Sequence, residues 1–192
     1  MEKTKTKVLA ECGILIALAA VLSLIKVFKL PWGGSITLLS MLPICLISIR
    51  HGVKTGLFSS FVYAVIQLLF GILFDGLLGW GLTAGALISC ILLDYIVAFT
   101  VLGLAGMFAD KGMNGIIGGT ALAIFLRFVS HVFSGVFVFA SAGKLWDGFE
   151  TSNTWLYSIV YNSCYMLPEL IFTCIGAAVV YQAVFKAAKM KL

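Results

Sequence analysis

The sequence predicts an all-α integral membrane protein of six transmembrane helices, with both termini in the cytoplasm. Three observations carry this prediction. Of the 192 residues, 61% are hydrophobic and only 11% are charged, with a mean hydropathy of +1.11. A water-soluble domain of that composition has too few charged groups to cover its surface. Apolar runs close to the roughly 20 residues that cross a bilayer recur along the chain. The basic residues then gather on one side of the resulting topology.

The first span is expected at 8–28. Its basic leader MEKTKTK runs into apolar residues without the small-residue cleavage pattern of a signal peptide, so the segment is read as a retained helix. The second segment, 36–49, is short for a full crossing, and Gly33, Gly34 and Pro43 interrupt the region. That combination predicts a tilted or partly buried element. Spans at 53–73, 82–107, 115–140 and 155–185 complete the set. Strands are not expected: alternation is absent and the apolar runs exceed the length of a barrel strand. No repeat or low-complexity linker divides the chain, which predicts one membrane domain over 1–192.

Six crossings put both termini on one side. That side receives Lys3, Lys5, Lys7, Arg50, Lys54, Lys111, Lys186, Lys189 and Lys191, against Lys26, Lys29 and Lys144 opposite, while Arg127 falls inside a span. The positive-inside rule makes the richer side cytoplasmic. The net charge of +5 is therefore topogenic and gives no support to a nucleic-acid partner. Cys12, Cys45, Cys90, Cys164 and Cys174 all lie in predicted spans without a CxxC pair, so they read as small packing residues and indicate neither a disulfide framework nor a metal site.

Function is sought in the polar residues that such helices retain. The stretch SCILLDYIVAF keeps Asp94 in an apolar run. A carboxylate at membrane depth costs several kcal/mol unless it is paired or faces a cavity, so Asp94 reads either as a helix-to-helix contact or as a functional site. In RFVSHVFSGVFVF, Arg127 and His131 are four apart and share a face that Gly135 continues. Arg127 there either contacts a ligand, snorkels, or neutralises Asp94. In TWLYSIVYNSCYMLPE, Tyr157, Tyr161, Asn162 and Tyr165 fall within about two turns, and Glu169 follows on the same face after Pro168. Tyrosines at a helix start also serve as interfacial belt residues, whereas the Asn162 amide cannot be satisfied by lipid. The Gly-rich KLPWGGSITLLSMLPI, with Trp32, reads as a plain connection or as a mobile lid over an outward cavity. This set suits a compact ligand with a cationic ring and hydrogen-bonding edges. The chain has no Walker A motif for ATP hydrolysis and no inverted pair of broken helices.

Four segments, PWGGSITLLSMLPICLISIRHGVKTGL, LLDYIVAFTVLGLAGMFA, LRFVSHVFSGVFVF and WLYSIVYNSCYMLPE, resemble in order the thiamine-specific substrate-binding (S) component of energy-coupling-factor transporters. The resemblance implies the S-component fold in the cell membrane, without catalytic activity or a cofactor. It also implies capture of thiamine from outside, and docking on a transmembrane coupling subunit with two cytoplasmic ATPases. The substrate-binding positions it implies are Asp94, Tyr95, Arg127, His131, Gly135, Phe139, Tyr157 and Asn162. Some family members have Glu at the position of Asp94 and Trp at that of Phe139, where a Phe ring offers a weaker cation–π face. Small residues four apart on the first helix pack on the coupling subunit in this family; here they are Gly13 and Ala17, followed by Val21. Without the resemblance, their spacing favours a helix contact inside the protein. Two rival readings are the same fold with another vitamin or a thiamine precursor, and a membrane-embedded enzyme using Asp94 and His131 as acid and base. The latter lacks an HExxH, GxSxG or paired-aspartate motif.

Overall fold

A computed structural model describes residues 5–30 and 33–186. Trp32, Lys3, Lys189 and Lys191 lie outside the described residues. Helix α1, Lys5–Leu24, buries Cys12, Ala19 and Ser23 and leaves Leu9, Ile14 and Val21 exposed, as expected of a rim helix facing lipid. It ends at Leu24, short of the expected 28, because the next residues turn into a hairpin. Strand β1, Lys26–Lys29, pairs antiparallel with β2, Ser35–Thr37. The Lys26 and Lys29 ammoniums both reach the Asp75 carboxylate, at 2.7 and 3.6 Å, and the Leu30 N–H donates to the Gly34 carbonyl at 2.7 Å to close the turn.

Helix α2, Met41–His51, has 11 residues, about 16 Å of helix, which is shorter than the hydrocarbon core of a bilayer. Met41, Ile44, Cys45 and Ile47 on it are fully buried, so the short second segment is an interior element of the bundle. Pro43 lies in its first turn, where the missing N–H has no intrahelical acceptor to lose. Of the six expected spans, the described residues thus contain five of spanning length, and α2 is shorter.

Helix α3 covers Val53–Leu73, and α4 covers Ala84–Leu104. The first turn of α4 is capped by Thr83, whose hydroxyl oxygen accepts from the Ala86 N–H at 3.3 Å. The helix is α-wound to Cys90, π-wound over Ile91–Val97, and tightens to 3₁₀ over Val101–Leu104. Helix α5 is Gly112–Phe137, and α6, Thr154–Val180, is capped by the Asn153 side chain on two backbone N–H groups. Between α5 and α6 lies a second hairpin, β3 (Gly143–Trp146) with β4 (Phe149–Thr151). These hairpins correct the expectation that strands would be absent; each of their strands is three or four residues long and belongs to a connection, so the helical class is unaffected.

The helices approach closely where side chains are missing. A Cβ at Gly103 would strike the Leu57 backbone of α3, and one at Gly119 the Ala105 carbonyl. Such contacts let α4 lie directly between α3 and α5, which sets the depth of the site below. At the end of the bundle away from the hairpins, Glu11 ties α1 to α2 through Arg50 at 3.0 Å and His51 at 2.9 Å.

Candidate ligand-binding cavity

At the hairpin end the helices enclose an open cavity of about 890 Å³. Its centre is a hydrogen-bonded chain across α4 and α5. The Arg127 Nε–H donates to His131 Nε2 at 3.2 Å, so that ring nitrogen is an acceptor and the proton lies on Nδ1. Nδ1–H in turn donates to Asp94 Oδ1 at 2.8 Å. Asp94 Oδ2 accepts from the Ser134 hydroxyl and, at 3.4 Å, from the Cys90 thiol. Arg127 also lays its guanidinium over the Phe99 ring, 4.0 Å from the centroid. Among the described residues it forms no ion pair with Asp94; a neutral imidazole separates the two charges.

Asp94 sits in the π-wound segment of α4. A π turn shifts side-chain register and leaves a carbonyl out of the i to i−4 ladder, and such turns recur at functional positions. Here the Leu93 carbonyl accepts the Ser130 hydroxyl of α5 at 2.6 Å. Tyr95, also in the lining, seats its ring against Gly71 of α3, where any Cβ would collide.

Helix α6 supplies the opposite wall. Tyr157 and Tyr161 stack at 6.4 Å, and Tyr165 meets the His131 ring edge-on at 6.1 Å. Asn162 Nδ2 donates to the Ser158 carbonyl at 2.8 Å and to its hydroxyl at 3.1 Å, while Oδ1 accepts the Tyr165 O–H at 2.5 Å. The amide therefore fixes the Tyr165 ring beside His131. Ser158 also donates to the Val132 carbonyl of α5 at 3.0 Å, and the missing Cβ of Gly135 makes room for it. The turn after β1 is held to this wall by the Gly34 N–H, which donates to Tyr161 Oη at 3.0 Å.

The eight substrate-binding positions expected from the sequence, Asp94, Tyr95, Arg127, His131, Gly135, Phe139, Tyr157 and Asn162, all line this cavity. Gly13 and Ala17 do not. They lie exposed on the outer face of α1, and a Cβ added at Gly13 meets nothing within 4 Å, which corrects the reading of a contact inside the protein. Several cavity residues escaped the sequence reading: Gln67, Asp75 and Trp80, together with Lys26 and Lys29, which counted there only toward topology. Gln67 carried a usable signal, a polar amide within an apolar span; it donates to Ser23 Oγ at 2.8 Å. At the mouth, Trp80 packs on Phe139 at 6.1 Å and donates from Nε1 to the Asp75 carbonyl at 3.0 Å. The lining carries three cationic side chains, Lys26, Lys29 and Arg127, and three carboxylates, Asp75, Asp94 and Glu169.

A family model described as Thiamine transporter protein (Thia_YuaJ) matches residues 9–189. The chain belongs to this family. It is 34% identical over 181 residues to the thiamine transporter ThiT of Bacillus subtilis (strain 168), covering 87% of this chain and 86% of that protein. It is 22% identical over 153 residues to the thiamine transporter ThiT of Lacticaseibacillus paracasei, covering 72% and 69%. A solved structure of ThiT from Listeria monocytogenes superposes with a TM-score of 0.71 at 23% identity, covering 96% of this chain and 98% of that one, so the two share a fold. The resemblance read from the sequence thus holds at the level of the family: this is a multi-pass membrane protein and a transporter component, not an enzyme.

Proposed function

We propose that the cavity binds thiamine from the outside and that the chain hands it to an ATP-driven coupling module. The observation that carries this reading is the convergence of eight positions, seven on α4, α5 and α6 and Phe139 just beyond α5, on one cavity built around the Asp94 carboxyl group, which accepts from His131, Ser134 and Cys90. Its volume falls in the range of about 300–1,000 Å³ usual for small-molecule sites. Asp94 supplies negative charge for the thiazolium, and the rings of Tyr95, Tyr157 and Phe139 supply faces for both heterocycles. Arg127 and His131 orient Asp94, and Asn162 holds Tyr165 in place.

With the termini cytoplasmic, the hairpin end and the cavity mouth face outward. A tight binder must be emptied against its own affinity at the cost of energy supplied elsewhere, and this chain has no nucleotide-binding motif. The partners are a transmembrane coupling subunit and two cytoplasmic ATPases, with the exposed face of α1 at Gly13 and Ala17 as the contact. Calorimetric titration of the detergent-solubilised chain with thiamine tests the reading, alongside tryptophan fluorescence reporting through Trp80 in the lining. No heat and no fluorescence change at saturating thiamine would overturn it; tighter binding of another vitamin or of a precursor would reassign the ligand.

A further inference from the structure

Of the five spanning helices among the described residues, α1 is the least buried: only Cys12, Ala19 and Ser23 of its 20 residues are buried. Lipid gives such a helix no hydrophobic drive toward its neighbours, so its seat depends on close packing and on polar ties. Polar ties hold it toward both ends. At the cavity end the Gln67 amide of α3 donates to Ser23 Oγ at 2.8 Å. Toward the other end the Glu11 carboxylate bridges the last two residues of α2, with Oε1 3.0 Å from Arg50 Nη2 and Oε2 2.9 Å from His51 Nε2. The His51 side chain is only 3% exposed, so this bridge reaches into the bundle. Glu11 and Gly13 are two residues apart, about 200° around a helix of 3.6 residues per turn. The carboxylate therefore enters the bundle at the depth where Gly13 faces outward, and Ala17 lies one turn along on that outer face.

We propose that Glu11 is the positioning residue of the coupling contact: by bridging Arg50 and His51 it fixes the rotation of α1 about its own axis, and so turns Gly13 and Ala17 toward the coupling subunit. This rests on the reading above, in which the exposed face of α1 meets that subunit. The inner stripe of α1, with Val8, Cys12, Leu15, Ile16 and Ala19, packs on the core. Such apolar groups resist rotation weakly in a membrane, because lipid is as apolar as the interface they would leave. A carboxylate has no such alternative: turned outward, Glu11 would exchange Arg50 and His51 for hydrocarbon and stand there as an unpaired charge. The anchor it grips is itself fixed. Met41, Ile44, Cys45 and Ile47 seat α2 in the core, and the chain leaves that helix through Gly52 at a φ of +84°, a conformation that side chains rarely adopt.

The test reads thiamine affinity in detergent, association of the full chain with the coupling module, and ATP-dependent uptake into proteoliposomes. Glu11→Gln keeps the shape and removes the charge. Glu11 is not in the cavity lining, so this variant should bind thiamine within about twofold of the parent. Its association and uptake should fall about 10-fold, the effect of one lost charge-assisted hydrogen bond. Exchanging the charges, Glu11→Arg together with Arg50→Glu, should recover most of both where Glu11→Arg alone does not. If Glu11→Gln does not fold, Arg50→Gln breaks the same bridge from the side of α2 and should show the same separation of uptake from affinity. Parental association and uptake by the folded variant, thiamine affinity lost in step with uptake, or an exchange of charges that recovers nothing overturns this inference. Gly13→Trp, inactive in uptake, then leaves the coupling reading of α1 standing. Parental uptake by Gly13→Trp removes that reading and this inference together.

Discussion

Replacing Asp94 by Asn tests the electrostatic centre of the cavity with little change of shape. In the parent, Oδ1 accepts from His131 and Oδ2 from Ser134 and Cys90. An Asn side chain can keep its oxygen on the His131 N–H and turn its amide toward Ser134, whose hydroxyl rotates to accept. The empty protein should therefore stay folded, with its unfolding temperature lowered by no more than one exchanged hydrogen bond implies, about 1 kcal/mol. Ligand binding should suffer more. A unit charge about 5 Å from a ligand cation, at an effective dielectric of about 20, contributes about 3 kcal/mol. The Arg127 guanidinium, held on the far side of His131, opposes part of that attraction. The expected loss is about 1.5–3 kcal/mol, or about 10- to 150-fold in Kd. Calorimetric titration with thiamine, paired with thermal unfolding of the ligand-free variant, separates the two effects, and Asp94→Glu, which keeps the charge, is the control. If folded Asp94→Asn binds thiamine as tightly as the parent, Asp94 is a structural contact between α4 and α5 and the electrostatic reasoning fails.

Gly135→Ala should drive a methyl into the Ser158 hydroxyl and part α5 from α6, costing about 1–3 kcal/mol of stability by overpacking and weakening ligand binding; an unchanged unfolding temperature would contradict the close approach. Ser130→Ala should remove the cross-helix partner of the partly buried Leu93 carbonyl beside Asp94, lowering stability by about 1 kcal/mol and thiamine affinity with it, both read by unfolding and titration; loss of stability with undiminished affinity would show that the π turn does not aim Asp94. Gly13→Trp or Ala17→Trp adds bulk where nothing in the chain stands in the way, so thiamine binding in detergent should persist while uptake into proteoliposomes containing the coupling module stops. Uptake at the parental rate by both variants would remove α1 from the coupling contact.

The interior of the site was legible because lipid makes polar residues conspicuous. Asp94, Arg127, His131 and Asn162 stand out in runs that otherwise read as hydrocarbon, and helical spacing alone put Arg127, His131 and Gly135 on one face. What stayed hidden depends on distant partners. Nothing in ILLDYIV announces a π turn; no Gly or Pro interrupts it, and its Leu93 carbonyl accepts from Ser130, 37 residues away. Glu169 reads as an oddity until Thr37, 132 residues earlier, is folded against it. The end of α1 was hidden for the same reason, since the Lys26 and Lys29 side chains that hold β1 answer to Asp75 beyond α3. Spacing alone favours an internal contact for Gly13 and Ala17, and the packing of α1 at the rim is what turns them outward.

The retention of a carboxylate in SCILLDYIVAF follows from these contacts. An ionised Asp on an ordinary α-helix facing its neighbours would need a cation nearby, and Arg127 on α5 is the obvious one. Direct pairing would satisfy both groups and leave the cavity electrically dull toward a cationic ligand. The structure instead inserts neutral His131 between them, with one ring nitrogen turned to each. Arg127 is stabilised by the Phe99 face and by Nε2, and Asp94 by Nδ1–H, Ser134 and Cys90. The negative charge is thus solvated by dipoles and not cancelled by a counter-ion, which preserves its field for whatever enters from the mouth. The π winding of α4 supports that arrangement from behind, because Ser130, one residue before His131, fixes the carbonyl one residue before Asp94. Two adjacent cross-helix bonds then set where the carboxylate stands, and a shift of either helix would move the charge and its solvating donors together.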